Sequence, residues 1–197
     1  MEDMKMKRIV MLLLVLSFSL VMAGGAAAAL IVDQHQDLGG GWLNMGYAAP
    51  LGQEFVPDVS NMAAVELYIS VFGGSTGPGV VLNVRKDNIY GTIVGTGSID
   101  SATTGWNMIE LDSYAWLTVG DRYVLEFISS FPNGVTTYAN NYNDGRWIFQ
   151  GTPKDDGYDL QFRTYYDDAV VVPIPGAVWL LGSGLVVLLG RTRKRGI

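Results

Sequence analysis

The sequence predicts an all-β fold, an antiparallel β-sandwich, flanked by an N-terminal signal helix and a C-terminal transmembrane helix. Through the middle of the chain, apolar and polar residues alternate at period two. Gly, Pro and Asn clusters interrupt those runs at short, regular intervals, as turns between short strands do. The ends differ: each carries an uncharged apolar segment bordered by cations. The divisions fall at 1–29, 30–168 and 169–197.

Lys5, Lys7 and Arg8 precede the apolar run Ile9 to Met22, and small residues Ala23 to Ala29 follow. A charged start, a short apolar stretch and an Ala-x-Ala site at Ala26-Ala27-Ala28 make a secretory signal peptide, with the mature chain starting near Ala29 or Leu30. An uncleaved N-terminal anchor is the alternative.

From Asp33 to Pro50 the chain is Gly-rich, reads as a flexible segment and holds the only histidine, His35. Gly52 to Val56 reads as a short strand closed by Pro57. Val65, Leu67, Ile69 and Val71 alternate with Glu66, Tyr68 and Ser70, the pattern of a half-buried strand. Gly73 to Gly79 is a turn by composition. Further strands are expected at Val80–Arg85, Thr92–Gly97 and Trp106–Leu111. Trp116–Val119 and Arg122–Ile128 are expected to pair as a hairpin about Gly120-Asp121. Val135–Tyr138, Arg146–Phe149 and Asp159–Tyr165 complete eight to ten strands.

At the far end, Pro173 and Pro175 stop any helix arriving from upstream, since each lacks an N–H and restrains its predecessor. Gly176 to Gly190 can then form a helix roughly 22 Å long, short against a hydrocarbon core of about 30 Å. The basic tip Arg191, Arg193, Lys194 and Arg195 would stay cytoplasmic. By physics alone this is a short C-terminal membrane anchor.

The run Pro173-Ile174-Pro175-Gly176-Ala177-Val178-Trp179-Leu180-Leu181-Gly182-Ser183-Gly184-Leu185, with its basic tip, resembles the PEP-CTERM sorting signal of Gram-negative bacteria. The usual acidic residue between the prolines is Ile174 here, which leaves the enzyme subtype open. The resemblance implies a transient membrane anchor, processed by an exosortase-type membrane enzyme, and delivery of the protein to the cell surface or extracellular matrix. A permanent tail anchor is the plainer alternative. A looser resemblance rests on Gly52-Gln53-Glu54-Phe55, Ala64–Ile69, Tyr123–Phe127 and Asp159–Thr164, which are similar to choice-of-anchor extracellular domains. It implies a jelly-roll-like sandwich, in outline like carbohydrate-binding modules, with no enzymatic activity and no assigned ligand residues.

Of 13 basic and 19 acidic residues, the two ends hold seven and two; the central domain keeps 6 and 17, a net charge of −11. Such a surface repels phosphate backbones and excludes nucleic acid as a partner. Extracellular polysaccharide and divalent cations are compatible with it. The chain has no cysteine, which excludes thiol nucleophiles and Cys–Zn sites.

One histidine gives little basis for a Ser-His-Asp machine. Paired carboxylates would suffice for a polysaccharide-active hydrolase, with Glu110 and Asp112, or Asp155, Asp156 and Asp159, as candidates, although these positions read as solvated strand face and turn. Asn140-Asn141-Tyr142-Asn143-Asp144-Gly145 collects hard oxygen donors suited to structural calcium. It fails EF-hand spacing, because Tyr142 falls on a ligand position and Gly151 on that of the bidentate Glu, so the metal ligands stay unknown. Aromatic side chains can form a plate for the apolar face of a sugar. Trp116 and Trp147 are expected in the core. Tyr138, Asn141, Tyr142 and Asp144, in the Asn-rich loop, are the candidate ligand contacts. The expected role is a non-catalytic exported surface or matrix protein; a secreted hydrolase and a purely structural surface protein are the alternatives.

Overall fold

The computed structural model describes residues 29–71, 73–74, 76–129, 133–139 and 142–170. The signal segment, the Pro173–Trp179 motif, the apolar helix and the basic tip lie outside the described residues. No helix among the described residues is long and apolar enough to cross a membrane.

Thirteen strands are described: β1 Leu30–Gln36, β2 Gly41–Asn44, β3 Leu51–Phe55, β4 Asn61–Val71, β5 Thr76–Lys86, β6 Ile93–Thr103, β7 Gly105–Trp116, β8 Tyr123–Ser129, β9 Asn133–Ala139, β10 Trp147–Phe149, β11 Thr152–Pro153, β12 Tyr158–Leu160 and β13 Phe162–Asp167. One helical turn, α1 Met45–Ala48, follows β2; the Asn44 side chain caps it by accepting from the Tyr47 N–H at 2.9 Å.

All pairings are antiparallel, and the sheet curls into two facing halves. One half runs β1-β13-β4-β7, with β9 continuing alongside β4 and carrying β2 and β12. The other runs β6-β5-β8-β3-β10-β11. They join where Gly97 of β6 meets Leu111 of β7. A Cβ at Gly97 would collide with the Glu110 carbonyl oxygen, so only glycine lets the backbones close there.

The core lies between the halves. Val65, Leu67 and Ile69 of β4, Ile109 of β7 and Phe162 of β13 meet Phe55 of β3, Leu82 and Val84 of β5, and Leu125 and Phe127 of β8, all essentially inaccessible. This mostly antiparallel β structure around one core is what the alternation predicts. A bulge between Met62 and Ala64 shifts the register, so that Met62 still faces the core.

Three expectations are corrected. The Gly-rich segment, read as flexible, is held in the sheet: β1 pairs with β13 and β2 with β9, partners ninety or more residues downstream that local composition does not reveal. His35 therefore sits on a strand, exposed, opposite Arg163. Gly120-Asp121 makes no hairpin. β7 ends at Trp116, Leu117 donates its N–H to the Ser60 carbonyl and Gly120 to that of Pro57, and the chain crosses into β8 of the other half. Asp159–Tyr165 is not one strand either; it breaks at Gln161, sending β12 to β9 and β13 between β1 and β4.

The described domain closes on itself. Leu30 pairs with Asp167, and the Ala29 N–H donates to the Asp168 carboxylate at 3.2 Å. The two connections to the apolar ends therefore leave from adjacent strands at one end of the sheet.

Candidate functional site

The outward face of β4 carries Glu66, Tyr68 and Ser70, the polar phase of the alternation. Pairing sets Trp106 of β7 opposite Tyr68, and Arg163 of β13 opposite Glu66. The Tyr68 and Trp106 rings meet edge to face, 5.6 Å between centroids. The Arg163 guanidinium lies over the Trp106 ring at 4.1 Å. Its Nε donates to Asp37 at 2.7 Å and its Nη1 to Glu66 at 3.1 Å, while the Tyr165 hydroxyl donates to the same Glu66 oxygen at 2.6 Å. Asp37 foremost, with Tyr165 and Glu66, holds the Arg163 pKa above its ordinary value against the opposing effect of burial. Burial first, then Glu66, raises that of Tyr165.

Beside this network a groove of about 340 Å³ opens at the β2 edge. Gly39, Gly40 and Gly41 form one side, Tyr68 and Ser70 the floor, and Trp42 and Gln161 complete it. Trp42 is 66% exposed, a flat apolar plate beside hydroxyl and amide groups. Gln161 anchors the glycine turn, its amide donating to the Asp37 carbonyl while its own carbonyl accepts from the Tyr68 N–H at 3.0 Å. A shallow cleft with an aromatic plate and hydroxyl- and amide-bearing neighbours can hold a polyhydroxylated ring.

The candidate loop contacts fare differently. Tyr142 is 5% exposed: its ring packs edge-on against Phe162 at 5.2 Å, its hydroxyl donates to Gln34 at 3.2 Å and accepts from the Val56 N–H at 3.3 Å. It is a core residue, which corrects the expectation of a surface contact. Burial pushes its pKa well above the usual phenol range. Asp144 is exposed and lies outside the lining of the nearby groove, which Asn143, Arg146, Lys154, Asp155 and Tyr158 help to form. The Tyr138 backbone pairs with Asp159; its side chain and Asn141 lie outside what is described. Trp147, expected in the core, is 8% exposed there, its indole N–H donating to Asp156. Trp116, also expected in the core, is 63% exposed, because Ala115 takes the inward phase and Leu117 follows it into the core.

The carboxylate candidates divide as well. Asp155 accepts from Arg146 at 3.1 Å, and Asp159, 2% exposed, accepts from the Gln53 amide at 3.0 Å and the Tyr142 N–H at 3.3 Å. These carboxylates bind the loop to the sheet. Glu110 and Asp112 project outward from β7 into a groove of about 540 Å³ that Tyr114 and Asp167 also line. Among the described residues, no three His, Asp or Glu side chains gather as metal ligands.

The sequence reading missed Trp42, Tyr68, Ser70 and Gln161 as a group. The outward phase of β4 was visible, but β2 was not, so the residues that join it could not be placed.

No protein-family model matches the chain, and no curated protein matches it. Among solved structures, the chain is similar to CsCBM6-3, a carbohydrate-binding module of Clostridium stercorarium solved in complex with cellobiose. Identity is 15% and the TM-score 0.35, with 64% of this chain and 88% of that chain covered. A likeness that distant carries no argument about the ligand.

Proposed function

We propose that this is an exported, non-catalytic jelly-roll domain that binds polysaccharide in the groove at Trp42, and that its C-terminal tail is a PEP-CTERM-type sorting signal read by an exosortase-type enzyme. One observation carries the binding reading: Trp42, 66% exposed, stands at a groove with Tyr68, Ser70 and Gln161. The position of that groove also supports display. It lies beyond the Gln36–Phe162 end of the β1–β13 pair, whereas the links to both apolar segments leave from the Leu30–Asp167 end. Seven residues of β1 separate the two, about 20 Å at the usual strand rise. A domain held by its tail would turn the groove away from the membrane.

Trp116 provides the control, being 63% exposed on the outer face of β7 and outside the groove. Trp42→Ala should weaken retention on polysaccharide columns by roughly tenfold or more, about 1.4 kcal/mol, and Trp116→Ala should leave it unchanged. Equal losses for both variants, or for neither, would remove the groove from the account.

The hydrolase reading keeps one observation in its favour, the shared groove of Glu110 and Asp112. Release of reducing ends by the wild-type protein, abolished in Glu110→Gln, would establish it in place of simple binding.

A further inference from the structure

The charges around the Trp42 groove point to its ligand class, an inference that rests on the polysaccharide-binding reading above. None of the groove's lining residues carries a formal charge. The guanidinium linked to it, Arg163, faces two carboxylates, Asp37 and Glu66, at 2.7 and 3.1 Å. That cluster sums to −1, and Asp37 is joined to the groove through Gln161.

The other cations among the described residues offer no substitute. Arg85 pairs with Glu126 at 2.7 Å, Lys86 with Asp121 at 3.4 Å, and Arg122 and Arg146 with Glu54 at 3.8 and 3.0 Å. Lys154 sits over the Phe149 ring and lines a different groove. An acidic sugar polymer is bound best where protein cations meet its carboxylates or sulfates, and bidentate Arg is a common means. Here it would have to displace Asp37 or Glu66 from Arg163 while approaching a domain of net charge −11, whose field reaches about 8 Å at physiological salt.

We infer that the Trp42 groove takes uncharged polysaccharide and rejects uronate-bearing or sulfated polymers, with Asp37 and Glu66 setting that discrimination by neutralising Arg163. The two carboxylates act as specificity determinants without forming the groove's lining. Replacing both by their amides keeps their shape and their capacity to accept from Arg163 and Tyr165, and changes the local charge from −1 to +1.

Affinity electrophoresis in native gels tests this with hydroxyethylcellulose, dextran and galactomannan as neutral polymers, and polygalacturonate and alginate as anionic ones. Wild type should be retarded by at least one neutral polymer, through Trp42, and by neither anionic one. Asp37→Asn/Glu66→Gln should keep the neutral binding and gain retardation by polygalacturonate at least about fivefold at low salt, lost near 0.5 M NaCl as a screened interaction must be. Asp37→Asn alone, at a partly exposed position, should gain part of the effect and guards against misfolding of the double variant. Trp42-dependent retardation of wild type by an anionic polymer would overturn the charge discrimination and leave polysaccharide binding standing. So would amide variants that gain nothing while still binding the neutral polymer. Retardation of wild type by no polymer would remove both readings.

Discussion

The Arg163 guanidinium covers one face of the Trp106 ring at 4.1 Å, and the Tyr68 ring meets Trp106 edge-on at 5.6 Å. Trp106 is thus occupied within the molecule, by a cation and an aromatic edge, and braces Tyr68, which lines the groove. Trp42, 66% exposed, lines the groove itself.

Arg163→Ala should destabilise the domain by about 1–2 kcal/mol, from the lost cation–π contact and two part-exposed ion pairs. Arg163→Lys should recover little, since an ammonium cannot reach Asp37 and Glu66 through separate donors while lying flat on Trp106. Urea unfolding of the three proteins measures this; full recovery by Lys would show that charge alone matters at the position.

Tyr142→Phe should cost about 1–3 kcal/mol, because Gln34 and the Val56 N–H lose their buried partner. Polysaccharide retention should not change. A loss of binding without a loss of stability would return Tyr142 to the surface role first expected of it.

Asp33 gives a pH signature. Its carboxyl is partly buried, which raises its pKa; bonds from the Asp58 N–H and Gln34 oppose the rise, and the Asp58 charge adds to it. The folded protein thus holds this proton more tightly than the unfolded chain. The site's contribution is most favourable below its ordinary value of 3.8 and declines as pH rises through the elevated value. Asp33→Asn should raise the melting temperature at pH 7 and leave it nearly unchanged at pH 3. A variant less stable than wild type at pH 7 would contradict the sign.

For the tail, Pro173→Ala with Pro175→Ala should let the apolar helix extend upstream and lengthen its span. The protein should then be exported and folded but remain in the membrane at full length. Processing and release at the wild-type rate would leave the prolines without a role in sorting.

What the sequence revealed follows from the range of the interactions. Val65, Leu67 and Ile69 were readable as core because alternation is local. The same parity, carried from Trp106 along β7, sets Trp116 on the outer face; the signal was present, but reading Trp116 as the start of a new strand concealed it. Tyr142 sits among polar neighbours in sequence, and only the approach of β1 and Phe162 buries it. The Arg163–Glu66 pair spans 97 positions, and the Trp42 groove needs β2, β4 and the Gln161 break together. No window of sequence contains those three.

Chemical-shift mapping with a neutral oligosaccharide tests the central claim most directly. The account predicts that perturbed amide and indole signals cluster at Gly39 to Trp42, Tyr68, Ser70 and Gln161, and that they disappear in Trp42→Ala. Perturbations centred on Glu110 to Tyr114, or on Arg146 to Tyr158, would contradict it.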